Sequence, residues 1–286
     1  MDKRARSSAH LFQEPDMNDS TATDSGQSTL KLPLTIIAVI CFIAGLALGL
    51  LALAGPLAVW LGMADFRLGF GFLQIVNGWA DWIAGITLLA GVGIIVVARQ
   101  RSLAAGPRLG GLALTGCVIA ALAWYVPETF RPPEGTPPIH DIATDPTDPL
   151  QFVAIAPLRA DAANNMDYGV MQGIDSVQQH IDMQTSAYPD IVPQEFDASP
   201  QEIYQRALDA VSTLGWELVD ADPDAGRIEA TDTTFWFRFK DDVVIEIDTG
   251  ANGQTVLQAR SLSRVGRSDV GKNAARLREF FSLISS

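Results

Sequence analysis

The 286 residues leave room for one or two domains, and the 48% apolar content is so uneven that nearly all long apolar runs fall between residues 32 and 126. From residue 128 onward, 26 Asp plus Glu stand against 12 Lys plus Arg. That balance of −14 repels nucleic-acid phosphates and anionic headgroups, and it argues against general nucleic-acid binding. Cys41 and Cys117 sit inside apolar runs as small hydrophobes, with no CxxC pair and no disulfide framework.

Residues 1–31 read as a disordered cytoplasmic tail: up to residue 29 they are rich in Ser, Thr, Asp and Asn without an apolar period. The first apolar core starts only at Leu32, too late for a secretory signal, so an uncleaved anchor is expected. Residues 32–54, 78–98 and 109–126 are three candidate spans, which defines a membrane domain over 32–127. Between the first two lies an apolar, Gly-rich stretch holding Asp65 and Arg67. It reads as a tight external loop, or the second helix begins near Leu68. Asp81 is then at the interface or inside the bundle. Trp79, Trp82, Trp124 and Tyr125 fit aromatic belts.

Arg99, Arg101 and Arg108 crowd the second loop, and Lys31 abuts the first span on the same side. The positive-inside bias places that side in the cytoplasm, with everything after residue 126 outside: the cell inner membrane with a periplasmic domain. Gly45 with Gly49, and Gly106 with Gly110, are spaced for close helix packing.

Seven prolines in residues 127–149 specify a stiff extended arm, assigned to 128–198, with one short helix around 174–184. The core, 199–286, opens on the capping box Ser199-Pro200-Gln201-Glu202. An apolar face of Ile203, Ala207, Ala210, Val211 and Leu214 follows, and Gly215 is the stop. Strand patterns cover 216–221, 227–239, 243–248 and 255–261, with tight gaps that imply antiparallel hairpins. Val270, Ala274, Leu277, Phe281 and Ile284 form the stripe of a closing helix. The expected fold class is α+β: three transmembrane helices, then an extracytoplasmic domain with a four-stranded antiparallel sheet and two covering helices.

No metal is expected. His140-Asp141 has no second histidine at ligand spacing, and the Asp220, Asp222, Asp224 series lacks the calcium-loop glycine and glutamate. Nor is a cofactor expected, since no Walker A loop, Rossmann fingerprint or GxSxG elbow is present. The strongest signal is basic: Arg260, Arg264, Arg267, Lys272, Arg276 and Arg278 in 19 residues, feeding a helix N-terminus that attracts anions. An anion or partner site is therefore expected at Arg260, Arg264, Arg267, Ser268 and Asn273. Against it stands a plainer alternative, in which these arginines pair with carboxylates and Ser268 or Asp269 caps the helix.

GRIEATDTTFWFRFKDDVVIEI (226–247) and RSLSRVGRSDVGKNAARLREF (260–280), with PPIHDIATDPTDP (137–149) and YPDI (188–191), resemble the domain of unknown function 1499 family. The resemblance covers roughly 137–284, and other members also carry N-terminal spans. It implies that the arm and the closing strand, loop and helix belong to one domain. It supplies no agreed activity and no catalytic residues. Glu246 and Asp248 stand where Arg-rich positions are expected in many relatives, which makes this sheet more acidic.

The expected function is a binding or assembly module on an integral membrane protein, taking a protein partner or a small anionic ligand and no nucleic acid. The alternative is a membrane-anchored enzyme whose site gathers His140, Asp241, Asp242, Ser263 and Arg264 from the arm and the closing segment.

Overall fold

Three apolar stretches become three long helices, α1 (Asp19–Trp60), α2 (Phe66–Gln100) and α3 (Gly106–Glu128). The computed structural model describes residues 19–285, with side chains from Thr29 onward. Helix α1 thus starts inside the segment expected to lack order; residues 1–18 of that segment lie outside the described residues. All three helices are long and apolar enough to cross a membrane, over Thr29–Trp60, Phe66–Gln100 and Gly106–Glu128. The stretch between the first two is mostly helix. Asp65 caps α2, its Oδ1 accepting from the Arg67 and Leu68 N–H groups at 2.8 and 3.3 Å.

The chain divides into two compact units, Met1–Gly55 with Phe70–Glu128, and Pro56–Gly69 with Thr129–Ser286. In the first, glycines let backbones touch. A Cβ on Gly45 would stand 2.1 Å from the Gly116 carbonyl oxygen of α3. Gly106 meets Ala98 and Gly110 meets Ile95 in the same way, so both glycine pairs sit at close-packing positions within the bundle. Asp81 is exposed on α2, not enclosed by its neighbours.

In the second unit the sheet has six strands, not four. These are β1 (Asp141–Ala143), β2 (Gln194–Phe196), β3 (Glu217–Asp222), β4 (Arg227–Thr233), β5 (Lys240–Thr249) and β6 (Thr255–Ser263). The order is β1-β6-β5-β4-β3, all antiparallel, with β2 beside β1 on the outer edge of β6. The two extra strands come from the Pro-rich arm. With three residues each they show no readable period, and they form because β6 offers an unpaired edge. Helix α4 (Val177–Ala187) then closes the edge of β1. The Gln184 amide accepts from the Ala143 N–H at 3.0 Å and donates to its carbonyl at 2.7 Å, in place of a further strand.

One sheet face lies under α5 (Pro200–Thr213) and α6 (Lys272–Ile284), as the apolar stripes imply. Ile228, Ala230, Val243, Ile245, Ile247, Leu257 and Ala259 point into that core with Ile203, Leu277 and Phe280. Ser199 caps α5, accepting from the Glu202 N–H at 3.3 Å, but the reciprocal half of the capping box is not made: Glu202 pairs with Arg206 instead. The other face is dry as well. The arm covers it with Phe152 and Ile155, packed on Val244 and Leu262.

Candidate functional site

Strand β5 carries Asp241 and Asp242 side by side, so its alternation sends the two carboxylates to opposite faces. On the arm-covered face Asp242 is fully buried. Arg264 forks onto it, Nε and Nη2 each at 2.8 Å, and Arg159 and the Thr231 hydroxyl complete its shell. Arg260, also fully buried, forks onto Asp141 at 2.9 and 2.8 Å. It donates as well to the Leu150 and Met166 carbonyls, between the Phe152 and Tyr168 rings. Glu229 accepts three arm N–H groups, from Val153, Ala154 and Ile155. The arginine–aspartate charges are paired and Glu229 is held by three N–H groups, the conditions under which buried ions persist. They fasten the arm to the sheet.

On the helix-covered face Arg276 bridges Asp232 and Asp241 at 2.7 and 2.6 Å. Asn273, fully buried, accepts from the Ser261 hydroxyl and Arg276, and donates to the His140 carbonyl and Ser263 Oγ at 2.9 and 3.0 Å. Asp269 accepts the Gly271 and Asn273 N–H groups at 2.8 and 2.7 Å, so the protein's own carboxylate fills the anion position at the start of α6. Burial pushes Asp269 up to about 6, against the lowering effect of those two bonds.

Of the five residues expected to form an anion or partner site, Arg260 and Asn273 are therefore enclosed with their polar atoms engaged. Arg264 is half-buried on Asp242, and Ser268 accepts from the Val270 N–H at 3.1 Å. Arg267 differs. It is exposed, its guanidinium has no hydrogen-bond or carboxylate partner among the described residues, and it lies against Gly173. A Cβ on Gly173 (φ +86°) would stand 2.8 Å from its Nη2.

Arg267 borders a hollow of about 740 Å³, lined also by His140, Asn164, Asn165, Met171 and Ile174. Asn164 shapes its rim by donating to the Ser263 and Gly266 carbonyls. Asp175 is the carboxylate of the lining, against Arg67 and Arg267. His140 is almost wholly buried, with Nδ1 3.4 Å from the Arg267 carbonyl, and burial lowers its pKa.

Of the five residues proposed for an enzyme site, His140, Asp241 and Ser263 meet under the helices: the Ser263 N–H donates to the His140 carbonyl at 3.0 Å, and Asp241 stands opposite Ser263 in the ladder. Asp242 and Arg264 lie on the other face, under the arm, and His140 also lines the hollow. Among the described residues, no group of three or more His, Cys, Asp or Glu is placed to hold a metal ion. Sequence reasoning weighed Asp141 only as a metal ligand, and missed Arg159, Glu229 and Gln184. Arg159 carried a faint signal, as the lone basic residue between 132 and 205. Glu229 carried none, because its place in β4 reads as a wet face.

A six-stranded sheet with one face sealed by a charged arm, in a chain that also carries three helices long and apolar enough to cross a membrane, defines an α+β protein with candidate membrane spans. Residues 141–284, just over half of the chain, match the family described as Protein of unknown function (DUF1499), and the chain belongs to that family. No curated protein and no solved structure matches it. The matched segment begins at β1 and ends with α6, so the arm's strands lie inside the family domain. Glu246, read as a departure toward acidity, is neutralised by a cross-strand pair with Arg227.

Proposed function

We propose that this is an integral membrane protein whose sheet unit is a binding module on the non-cytoplasmic side of an inner membrane, with Arg267 as its contact for a small anionic group. The carrying observation is that, among the described residues, the arginines Arg260, Arg264, Arg276 and Arg278 all hold carboxylates while Arg267, in the same run, holds none and borders a hollow, unlike the exposed Lys272. In a unit this acidic, an unpaired guanidinium kept over a hollow by a glycine suits a carboxylate or phosphate supplied from outside. Orientation rests on Arg99, Arg101 and Arg108 in the second loop. An enzymatic role has less support, since Asp242 and Arg264 hold each other on the sheet face opposite Asp241 and Ser263.

The test uses the full chain in detergent, titrated with inorganic phosphate at low salt. Phosphate should raise the melting temperature, less so as salt is added. Arg267→Ala should remove that shift while leaving stability within ~0.5 kcal/mol, as for other surface changes. Arg264→Ala should lower stability and keep the shift. An unchanged phosphate response in Arg267→Ala would refute the assignment.

A further inference from the structure

We propose that the β4–β5 loop and the α1–α2 turn together form an aromatic lip that sits in the lipid interface of the membrane crossed by the three helices. The loop between Thr233 and Lys240 contains Phe235, Trp236, Phe237 and Phe239, an unusual load for a hairpin connection in an acidic domain. These rings are not folded into the sheet core. Phe235 packs on Trp60 at 5.4 Å between ring centres, and the Trp60 indole N–H donates to the Phe235 carbonyl at 2.7 Å. Phe239 packs on Phe66 at 5.1 Å, and Trp236 on Phe130 at 6.5 Å. All of these residues belong to one compact unit.

Three features name lipid as the cover. The first is continuity: Trp60 is the last residue of α1, Phe66 the first of α2, and Phe130 stands two residues beyond α3. The second is exposure. Phe235 is 66% exposed, and Leu61, Met63 and Leu68 beside the turn are 64%, 77% and 53% exposed. So much contiguous apolar surface is rare on a face that meets water. Tryptophan and other amphipathic rings favour the headgroup level. The third is charge. Arg238 and Lys240 flank the rings, exposed and without a carboxylate partner among the described residues, with the Arg238 guanidinium 4.9 Å from the Trp60 ring centre. Glu217 is exposed at the same end, whereas Asp222, Asp224 and Asp248 lie at the far end with the Arg227–Glu246 pair. The sheet therefore turns its aromatic end, with Arg238 and Lys240, toward the headgroups, although its net charge is strongly negative.

The test labels single cysteines with bimane in the full chain, after Cys41→Ala and Cys117→Ala. The probes are Phe235→Cys and Met63→Cys, with Asp224→Cys at the far end of the sheet as reference. Each is reconstituted into phosphatidylcholine vesicles with and without dibrominated acyl chains. Bromolipid should quench positions 235 and 63 at least twofold and leave 224 unchanged. Because position 63 lies in an exposed turn, it reports even if Phe235→Cys misfolds. Equal, weak quenching at all three positions would overturn the proposal. So would blue-shifted emission that appears only at high protein density, since a second copy of the chain would then be the cover.

Discussion

The buried arginines of the sheet unit are all held by carboxylates, and these pairings differ in what their loss would do. Among the described residues Arg260 is the only salt-bridge partner of Asp141, whereas Asp242 keeps Arg159 when Arg264 is removed. Asp269 behaves differently because burial, not a cation, dominates its surroundings. Its folded pKa of about 6 is above its ordinary value of 3.8, so the folded chain holds this proton more tightly than the unfolded chain. Its stabilising contribution is then fully present below pH ~4 and is lost as pH rises through 6. A shift of this size corresponds to at most ~3 kcal/mol. Asp269→Asn imitates the protonated acid while keeping one acceptor for the α6 N–H groups. Thermal melts of wild type and variant should show the variant gaining on wild type between pH 4 and 7. A difference that stays constant with pH would mean that Asp269 is ionised throughout.

At the level of elements, the long periodic ones were legible and the short ones were not. Helices α5 and α6 and strands β3 to β6 were expected near where they lie, but the strand expected over 227–239 ends at Thr233, and Val270, placed on the stripe of the last helix, is exposed before its start. Strands β1 and β2 escaped because three residues cannot display alternation, and pairing to β6 is what makes them strands. Glu229 and Asp242 read as wet positions because alternation assumes that one face meets water, and here the arm covers it. The cap of α5 was legible in part. Ser199 receives the Glu202 N–H, but the Glu202 carboxylate is drawn to Arg206 four residues on. Ser199→Ala should therefore cost toward the lower end of ~0.5–2 kcal/mol in the denaturation midpoint of the full chain. An unchanged midpoint would show that the hydroxyl does not hold the helix start.

For the whole molecule, the central prediction is orientation. Alkaline phosphatase fused after Ser286 should be active, and a fusion within residues 101–105 should be inactive, given Arg99, Arg101 and Arg108 beside that loop. The reverse pattern would overturn the orientation. Helices α1 and α2, with candidate spans of 32 and 35 residues, are each longer than the ~20 residues that span a hydrocarbon core, an excess that tilt, a kink or emergence from the membrane would accommodate. Net charge misleads at this scale. A balance of −14 implies repulsion from anionic headgroups, yet Arg238 and Lys240 stand at the end of the sheet that carries the aromatic loop.

The amino-acid sequence alone determined the three apolar helices, the α+β class of the rest, the family, and the close-packed glycines. Each of these rests on local composition or spacing. Only the tertiary structure decided which arginines are spoken for. Arg260, Arg264 and Arg267 are equivalent as neighbours in a basic run, and what separates them is the position of carboxylates from remote segments, Asp141 from the arm and Asp242 from β5. Arg267 meets a glycine there instead. A charge is structural or available according to what the fold brings opposite it, and the partners lie too far along the chain for any local pattern to name them.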